Sequence, residues 1–499
     1  MNVVQYLFEN TRTLSKDFVL GNKEIISFVH LYEQSSKMAS YLSSSIGSNR
    51  NIILVSNNNN FFLVSYLGIM MSGNVCVPLD PTIEQNNFDY IRRECDAPLV
   101  LIEKRLLERI EINTSSTITD QDYSVFIENR PLFNQVENFN TELPAQIIFT
   151  SGSTGIPKGV VLSHKNIIAN TSSILEYLHL TENDIMEVVL PFYYCYGLSL
   201  LHTHLRVGGS IVLNNNFVFI NSVFSDINKY KCTGFAGVPS HFQILLRKSE
   251  GFKNTNFPTL RYVTQAGGKL HNSFIEEFIS TFPEIDFYVM YGQTEATARL
   301  SYLEPKMLKS KLGSIGKGIP GVEVKVVNET GNEVIPGETG EIVAKGDNIM
   351  IGYYQEPEMT ANVLKNGWLH TGDIGTVDGD GYIYLTARNK EFIKIAGKRV
   401  SPKEIEEVIV SFPGVVDCTI ETVYDEVTGE AVKAVVVLAK SVENNITEDI
   451  LKSYCAGKLA LHKVPKYVEF KEQLKVSATG KKVKLNDEAE YAGREEKLD

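Results

Sequence analysis

Short apolar runs alternate with amphipathic stretches from Asn51 to about residue 300. NIILVS, NNFFLVSYLGIMMSG, NVCVPLD, FDYIRREC and PLVLIE follow one another and read as strand, helix, strand, helix, strand. That order is the pattern of a parallel sheet covered by helices. The most apolar segment, Asn60–Met71, is short and interrupted by Gly68, so it predicts a buried helix rather than a membrane span. A second block repeats the pattern. Ile167, Ile168, Thr171, Ile174, Leu175 and Leu178 recur at helical spacing after Ser163, an N-cap residue type, and SIVLNN, GFAGVP, YVTQAGG and FYVMYG read as strands ending in Gly or Pro turns. In such sheets ligands sit at the carboxyl ends of the strands.

From about Gly313 the texture shifts to short strands with turn signals, VEVKVVNETGNEV, GEIVAKG and GWLHTGDIGTVDGDGYIYLT, which predict a small twisted β subdomain over about 313–388. After Arg388 come a charged segment, a helix starting near Ser401 and Pro402, the strands CTIETVYD and KAVVVLAK, and a lysine-rich tail. The expectation is an α/β protein: a large N-terminal domain over 1–388, made of helix-covered sheets and the β subdomain, then a small mobile α+β C-terminal domain over 389–499.

With 499 residues, 43% hydrophobic and 22% charged, the chain is ordinary globular material with room for more than one core. A net charge of −12 argues against nucleic-acid binding, which needs a basic face, and favours a small-molecule ligand handled by local cations or a metal. Six dispersed cysteines without a C-x-x-C pair point to a reducing cytoplasm. The first residues are too polar for a signal sequence, and no run reaches the roughly 18 apolar residues of a membrane span. Oligomeric state leaves no mark in the sequence.

The segment 149–160, FTSGSTGIPKGV, carries the first candidate chemistry. Glycines let backbone approach a ligand closely, and the hydroxyl residues add donors, so the loop suits an anion such as phosphate. It is not the G-x-x-x-x-G-K-[ST] loop, because Gly152 is followed by Pro157 at the wrong spacing and Lys158 by Gly159. A plain Ser/Gly turn between two strands has the same composition. Four further segments, TQAGGKL, MYGQTEATARLSY, WLHTGDIGTVDGDGYIYLTARNKEFIKIAGKRVSPKEIEEV and VSATGKKVK, follow in that order. Together the five resemble the adenylate-forming superfamily, which includes acyl-CoA synthetases, peptide-synthetase adenylation domains and beetle luciferases. The resemblance runs from VPLDP at Val77 to Lys481.

It implies ATP-dependent activation of a carboxylic acid as an acyl-adenylate, followed by transfer to a thiol. On it, Thr150, Ser151, Gly152, Ser153, Thr154 and Gly155 form the phosphate loop with Lys158 as its cation, donors suited to a leaving pyrophosphate. Tyr291 and Gly292 open the YGQTE motif, with Tyr291 against adenine, Thr294 on the α-phosphate and Glu295 on Mg²⁺, for which one carboxylate beside phosphates and waters suffices. Gly267 and Gly268 pass the adenine, Asp373 accepts from the ribose hydroxyls, and Arg388 reaches the same sugar. A turn aspartate is the plainer reading of Asp373, since DGDG follows closely. Lys481 matches the adenylation lysine, although Lys482 stands where the family has an apolar residue. Lys390, in Arg388-Asn389-Lys390, matches the hinge about which the C-terminal domain rotates, and Lys394 the lysine brought in for the second half-reaction.

In LPFYYCYGLS the resemblance places the acid pocket, with Tyr194 where acyl-CoA synthetases carry a histidine and Gly197 as the motif's glycine. The segment holds no acid to pair with a substrate ammonium, which favours an uncharged acyl or aryl acid over an amino acid. CoA and the phosphopantetheine arm of a separate acyl carrier protein present the same thiol, so both acceptors stand, with CoA the first expectation. A nucleotide-binding protein without catalysis is a third reading; the presence of Lys158, Glu295, Asp373, Arg388 and Lys481 together counts against it.

Overall fold

The computed structural model describes residues 1–21, 24–112, 116–134, 138–151, 156–217, 219–249, 251–388, 393–395, 398–425, 429–440, 442–443 and 445–474. Two large sheets form its body. One is seven-stranded: Asn51–Val55 lies between Val75–Leu79 and Leu99–Ile102, all parallel, and the antiparallel pair Pro144–Ser151 and Pro157–Ser163 extends it beyond Val75–Leu79. The candidate phosphate loop therefore connects two strands of a hairpin, not a strand and a helix.

The second sheet runs parallel through Ser210–Leu213, Ile185–Val188, Gly234–Gly237, Tyr262–Gln265 and Asp286–Tyr291. It then turns antiparallel through Ser301–Leu303, Ser314–Gly318, Ile383–Arg388, Trp368–Val377, Thr339–Gly346 and Val322–Val327. The β subdomain expected over 313–388 is thus hydrogen-bonded edge to edge onto the parallel sheet. Periodicity alone carries no sign of that join, which rests on the pairing of Ser301 with Gly318 and Tyr302 with Lys317.

Local chemistry accounts for the helices. Ser163 caps His164–Leu178 through its hydroxyl, and Asn166 returns the bond to the Ser163 backbone, a reciprocal cap of the Ser-x-x-Asn kind. Asn60–Met71 is buried on nearly every face, as its all-round apolar sequence requires. Within it the Tyr66 hydroxyl donates to Gln146 Oε1 at 2.6 Å and meets His202 Nε2 at 2.8 Å. No helix among the described residues is long and apolar enough to cross a membrane. The six cysteines are buried thiols, none of them in a disulfide.

The C-terminal part builds its own three-stranded sheet from Val415–Asp425, Gly429–Leu438 and Tyr467–Phe470, with the helices Pro402–Val410 and Glu448–Ala456. It packs on the helices Pro239–Arg247 and Asn272–Thr281. Glu407 accepts from the Asn272 backbone at 2.7 Å and lies 3.1 Å from His271 Nδ1, and Lys269 Nζ approaches it at 3.7 Å. Gln243 donates to Asp417 at 3.0 Å, and the Arg247 guanidinium donates to the carbonyls of Val410 and Val415.

Candidate active site

Three turns lie side by side because their strands do. Gly234–Gly237, Tyr262–Gln265 and Asp286–Tyr291 are parallel neighbours, so the segments Val238-Pro239, Ala266-Gly267-Gly268 and Gly292-Gln293-Thr294-Glu295 leave the sheet at one end. Gly267 has φ +86°, a conformation that favours glycine. A side chain on Gly267 would press on Val238 at 3.1 Å, and one on Gly268 on Pro239 at 3.3 Å. Both glycines therefore serve the close packing of adjacent turns. Gln265 fixes the loop by donating to the Gly268 carbonyl at 2.8 Å.

The turn 291–299 is tighter still. A Cβ on Gly292 would stand 2.0 Å from the Ala298 carbonyl oxygen, so no other residue fits there. Thr297 takes φ +64°, held by its hydroxyl on the Asn348 carbonyl at 2.7 Å. Asn348 donates to the carbonyls of Ala296 and Arg299, and Asn170 also donates to the latter. The Arg299 side chain is 3% exposed and lies 4.0 Å over the Tyr196 ring, a cation–π contact, while donating to the Ala298 carbonyl.

These braces set the predicted residues. Tyr291, 9% exposed, donates its hydroxyl to Asp373 Oδ2 at 2.6 Å, and Asp373, 2% exposed, faces Arg388 in the strand register. Thr294 is buried with its hydroxyl 3.6 Å from Cys195 Sγ, which ties the YGQTE motif to the PFYYCYG motif. Glu295 is half-buried, and its Oε1 accepts from the Tyr353 hydroxyl at 2.8 Å. Burial first, and then the Glu295 carboxylate, push the Tyr353 phenol well up, so it stays a donor. Thr150 and Lys158 stand opposite each other where the hairpin opens.

In the acid-pocket motif, Tyr194 stands at the residue before the helix Cys195–Val207, without a side-chain capping bond, and packs against the main core. Burial and the neighbouring Asp80 raise the Tyr193 phenol, which is hydrogen-bonded to that carboxylate. A Cβ on Gly197 would lie 2.1 Å from the Pro191 carbonyl oxygen, so this glycine is required by the turn itself. His241, in the helix after Pro239, stacks on Phe217 at 3.9 Å, and burial lowers it to about 3, keeping it neutral.

Gly152, Ser153, Thr154, Gly155, Lys390 and Lys481 lie outside the described residues, as do the side chains of Ser151, Arg388 and Lys394. Sequence reasoning missed Tyr353, Asn348, Arg299 and Cys195. Cys195 and Arg299, each inside a quoted motif, carried a signal that could have been followed. The donor set suits a nucleoside triphosphate with one divalent cation: an aromatic beside a ribose-type acceptor, a hydroxyl-rich hairpin, and a carboxylate engaged at one oxygen. No cluster of three or more His, Cys, Asp or Glu lies among the described residues.

The family model for AMP-binding enzymes matches residues 8–354, and the model for the AMP-binding enzyme C-terminal domain matches 404–481. The chain belongs to the AMP-binding enzymes. Within this family it is 29% identical to a long-chain-fatty-acid–CoA ligase of Salmonella typhimurium, covering 97% of this chain and 94% of that one. It is 34% identical to a feruloyl-CoA synthase of Amycolatopsis sp over 68% of each chain. The AMP-binding fold superposes on the crystal structure of the anthranilate CoA ligase AuaEII in complex with anthranoyl-AMP with a TM-score of 0.90, at 23% identity, covering 99% and 98% of the two chains.

Proposed function

We propose that this AMP-binding enzyme is a carboxylic acid:CoA ligase. A carboxylate oxygen attacks the α-phosphorus of ATP, the bond to the bridging oxygen breaks and pyrophosphate leaves; the CoA sulfur then attacks the acyl carbon, releasing AMP as the thiol proton is lost. The observation that carries the reading is the buried Tyr291–Asp373 hydrogen bond at 2.6 Å, opposite Arg388 and at the foot of the turn bearing Thr294 and Glu295. A carboxylate is an acceptor-only group, suited to receive hydrogen bonds from both ribose hydroxyls. The Tyr291 ring then lies where a purine would stack.

Thr294 would steady the α-phosphate, with Thr150, Ser151, Ser153, Thr154, the backbone of Gly152 and Gly155, and Lys158 around the departing pyrophosphate. Glu295 would hold Mg²⁺, whose charge offsets that of the phosphates when it is bound. Lys481 would bridge the α-phosphate and the substrate carboxylate, and Lys394 would replace it after rotation about Lys390. The domains 1–388 and 389–499 would be the body and lid of that rotation. The relatives' names span a fatty, a cinnamic-type and an aminobenzoic acid; the acid-free LPFYYCYGLS segment supports an uncharged acyl or aryl tail here.

The test is pyrophosphate and AMP release from ATP and Mg²⁺ across fatty, aryl, hydroxy and amino acids, each with and without CoA. Turnover that needs one class of acid together with CoA supports the ligase. A single pyrophosphate burst that CoA does not relieve would replace CoA with a separate carrier protein, and silence throughout would sink the catalytic reading.

A further inference from the structure

Residues 350–354 form a strap between the two halves of the candidate phosphate site. The Met350 backbone donates to the Glu295 carbonyl at 2.9 Å, while Ile351 and Tyr354 donate to the carbonyls of Val161 and Gly159 at 3.0 and 2.7 Å. Gly352–Tyr353 pairs antiparallel with Val161 and Val160, in the strand that leaves the phosphate hairpin. A Cβ on Gly352 would meet the Thr360 side chain at 2.7 Å, and Thr360 accepts from the Tyr353 backbone at 2.9 Å. The Tyr353 ring is thus fixed at both flanks, and its hydroxyl reaches Glu295 Oε1 at 2.8 Å.

We propose that Tyr353 is a positioning residue that fixes the rotamer of Glu295 and leaves Oε2 as the oxygen offered to the divalent cation. The inference rests on the reading of Glu295 as the cation's carboxylate. Three features support it. Glu295 Oε2 has no protein partner among the described residues. A phenol orients a carboxylate without cancelling its charge, whereas a lysine or arginine in that place would compete with the cation. And the strap ties the carboxylate's backbone to the strand that follows the phosphate hairpin, so one element sets both the ligand and the loop it must face.

The test measures Mn²⁺ affinity by electron paramagnetic resonance, in the presence of α,β-methylene-ATP and without acid or CoA, for the wild type, Tyr353→Phe and Glu295→Gln. Tyr353→Phe is expected to weaken Mn²⁺ binding about tenfold, as loss of an outer-shell partner does, and Glu295→Gln by more. In turnover, Tyr353→Phe should need about tenfold more Mg²⁺ for half-maximal pyrophosphate release and recover the wild-type plateau at saturation. Unchanged Mn²⁺ affinity in Tyr353→Phe alongside a weakened Glu295→Gln overturns the role of Tyr353. A plateau that Mg²⁺ does not restore overturns it too, since that marks a general structural loss. Unchanged affinity in Glu295→Gln instead overturns the reading of Glu295 on which the inference rests.

Discussion

The turn 291–299 and the junction at Glu407 each join large parts of the molecule, and they are built on different plans. The turn is braced from many sides: a glycine that tolerates no side chain, Asn348 and Asn170 on its carbonyls, Arg299 over Tyr196, Tyr353 on Glu295. The junction gathers its polar contacts on a few side chains, chiefly Glu407 with His271, Lys269 and the Asn272 backbone. Redundant bracing leaves a turn insensitive to any one contact, whereas a junction held by a few bonds can be released by one substitution.

The largest expected effect falls on the chemistry that the turn presents. Lys481→Ala should slow acyl-adenylate formation about 10²–10³-fold with ATP binding mostly intact, because a cation aimed at developing charge acts on the transition state; normal pyrophosphate release would remove Lys481 from that role. Lys394→Ala should spare that step and slow thioester formation only. Asp373→Ala should raise the KM for ATP about 10–100-fold, the worth of hydrogen bonds to a charged acceptor, and an unchanged KM would leave Asp373 a structural strand residue bonded to Tyr291. Arg299→Met should lower stability by about 2 kcal/mol in thermal denaturation, since the Ala298 carbonyl loses its donor inside the core. No loss would mean that the turn does not depend on this brace.

Glu407→Gln should change the ratio of acyl-adenylate formation to thioester formation by a few-fold, about what one hydrogen bond contributes. An unchanged ratio in a normally folded variant would show that the junction does not bias the lid. The same glutamate offers a contrast in pH. Glu407 meets a desolvation cost, yet the hydrogen bond from His271, with the charges of His271 and Lys269, holds it below the usual carboxylate range. Its contribution to stability is present above the unfolded pKa and is lost as pH falls through the lower folded value. Glu187, buried in the strand Ile185–Val188 beside Asp226 without a cation, is pushed well above that range, first by burial and then by Asp226. Its contribution is full below the unfolded pKa and is lost as pH rises through the folded value. Denaturant titration across pH should therefore find Glu407→Gln flattening the acid limb and Glu187→Gln the opposite one; identical profiles in the two variants would contradict both assignments.

Strands and helices were legible because burial imposes their periods on the sequence, as the alternation from Asn51 onward and the Ser163 cap illustrate. The pairing of Tyr291 with Asp373 could be anticipated only as two members of one motif series; the bond itself spans 82 residues. Tyr353 reaches Glu295 across 58 residues, and His271 reaches Glu407 across 136. Contacts of that separation leave no period to read. Asn348 was invisible for a second reason, and Arg299, though inside a quoted motif, was not singled out by it for the same reason: both serve backbone carbonyls, which are the same in every residue type. Tyr194 and Gly197 were legible as motif positions, but the demand of the Pro191 carbonyl on Gly197 appears only in three dimensions.

The join at Ser301–Gly318 has a mechanical consequence. Because one ladder runs from the parallel strands into the antiparallel ones, a bend anywhere between them would have to shear a row of backbone hydrogen bonds at once. Among the described residues no such ladder links this sheet to that of the C-terminal part, where the coupling is made by side chains and packing. The continuous sheet thus acts as one plate that resists bending across its middle, against which the C-terminal sheet is seated by side chains.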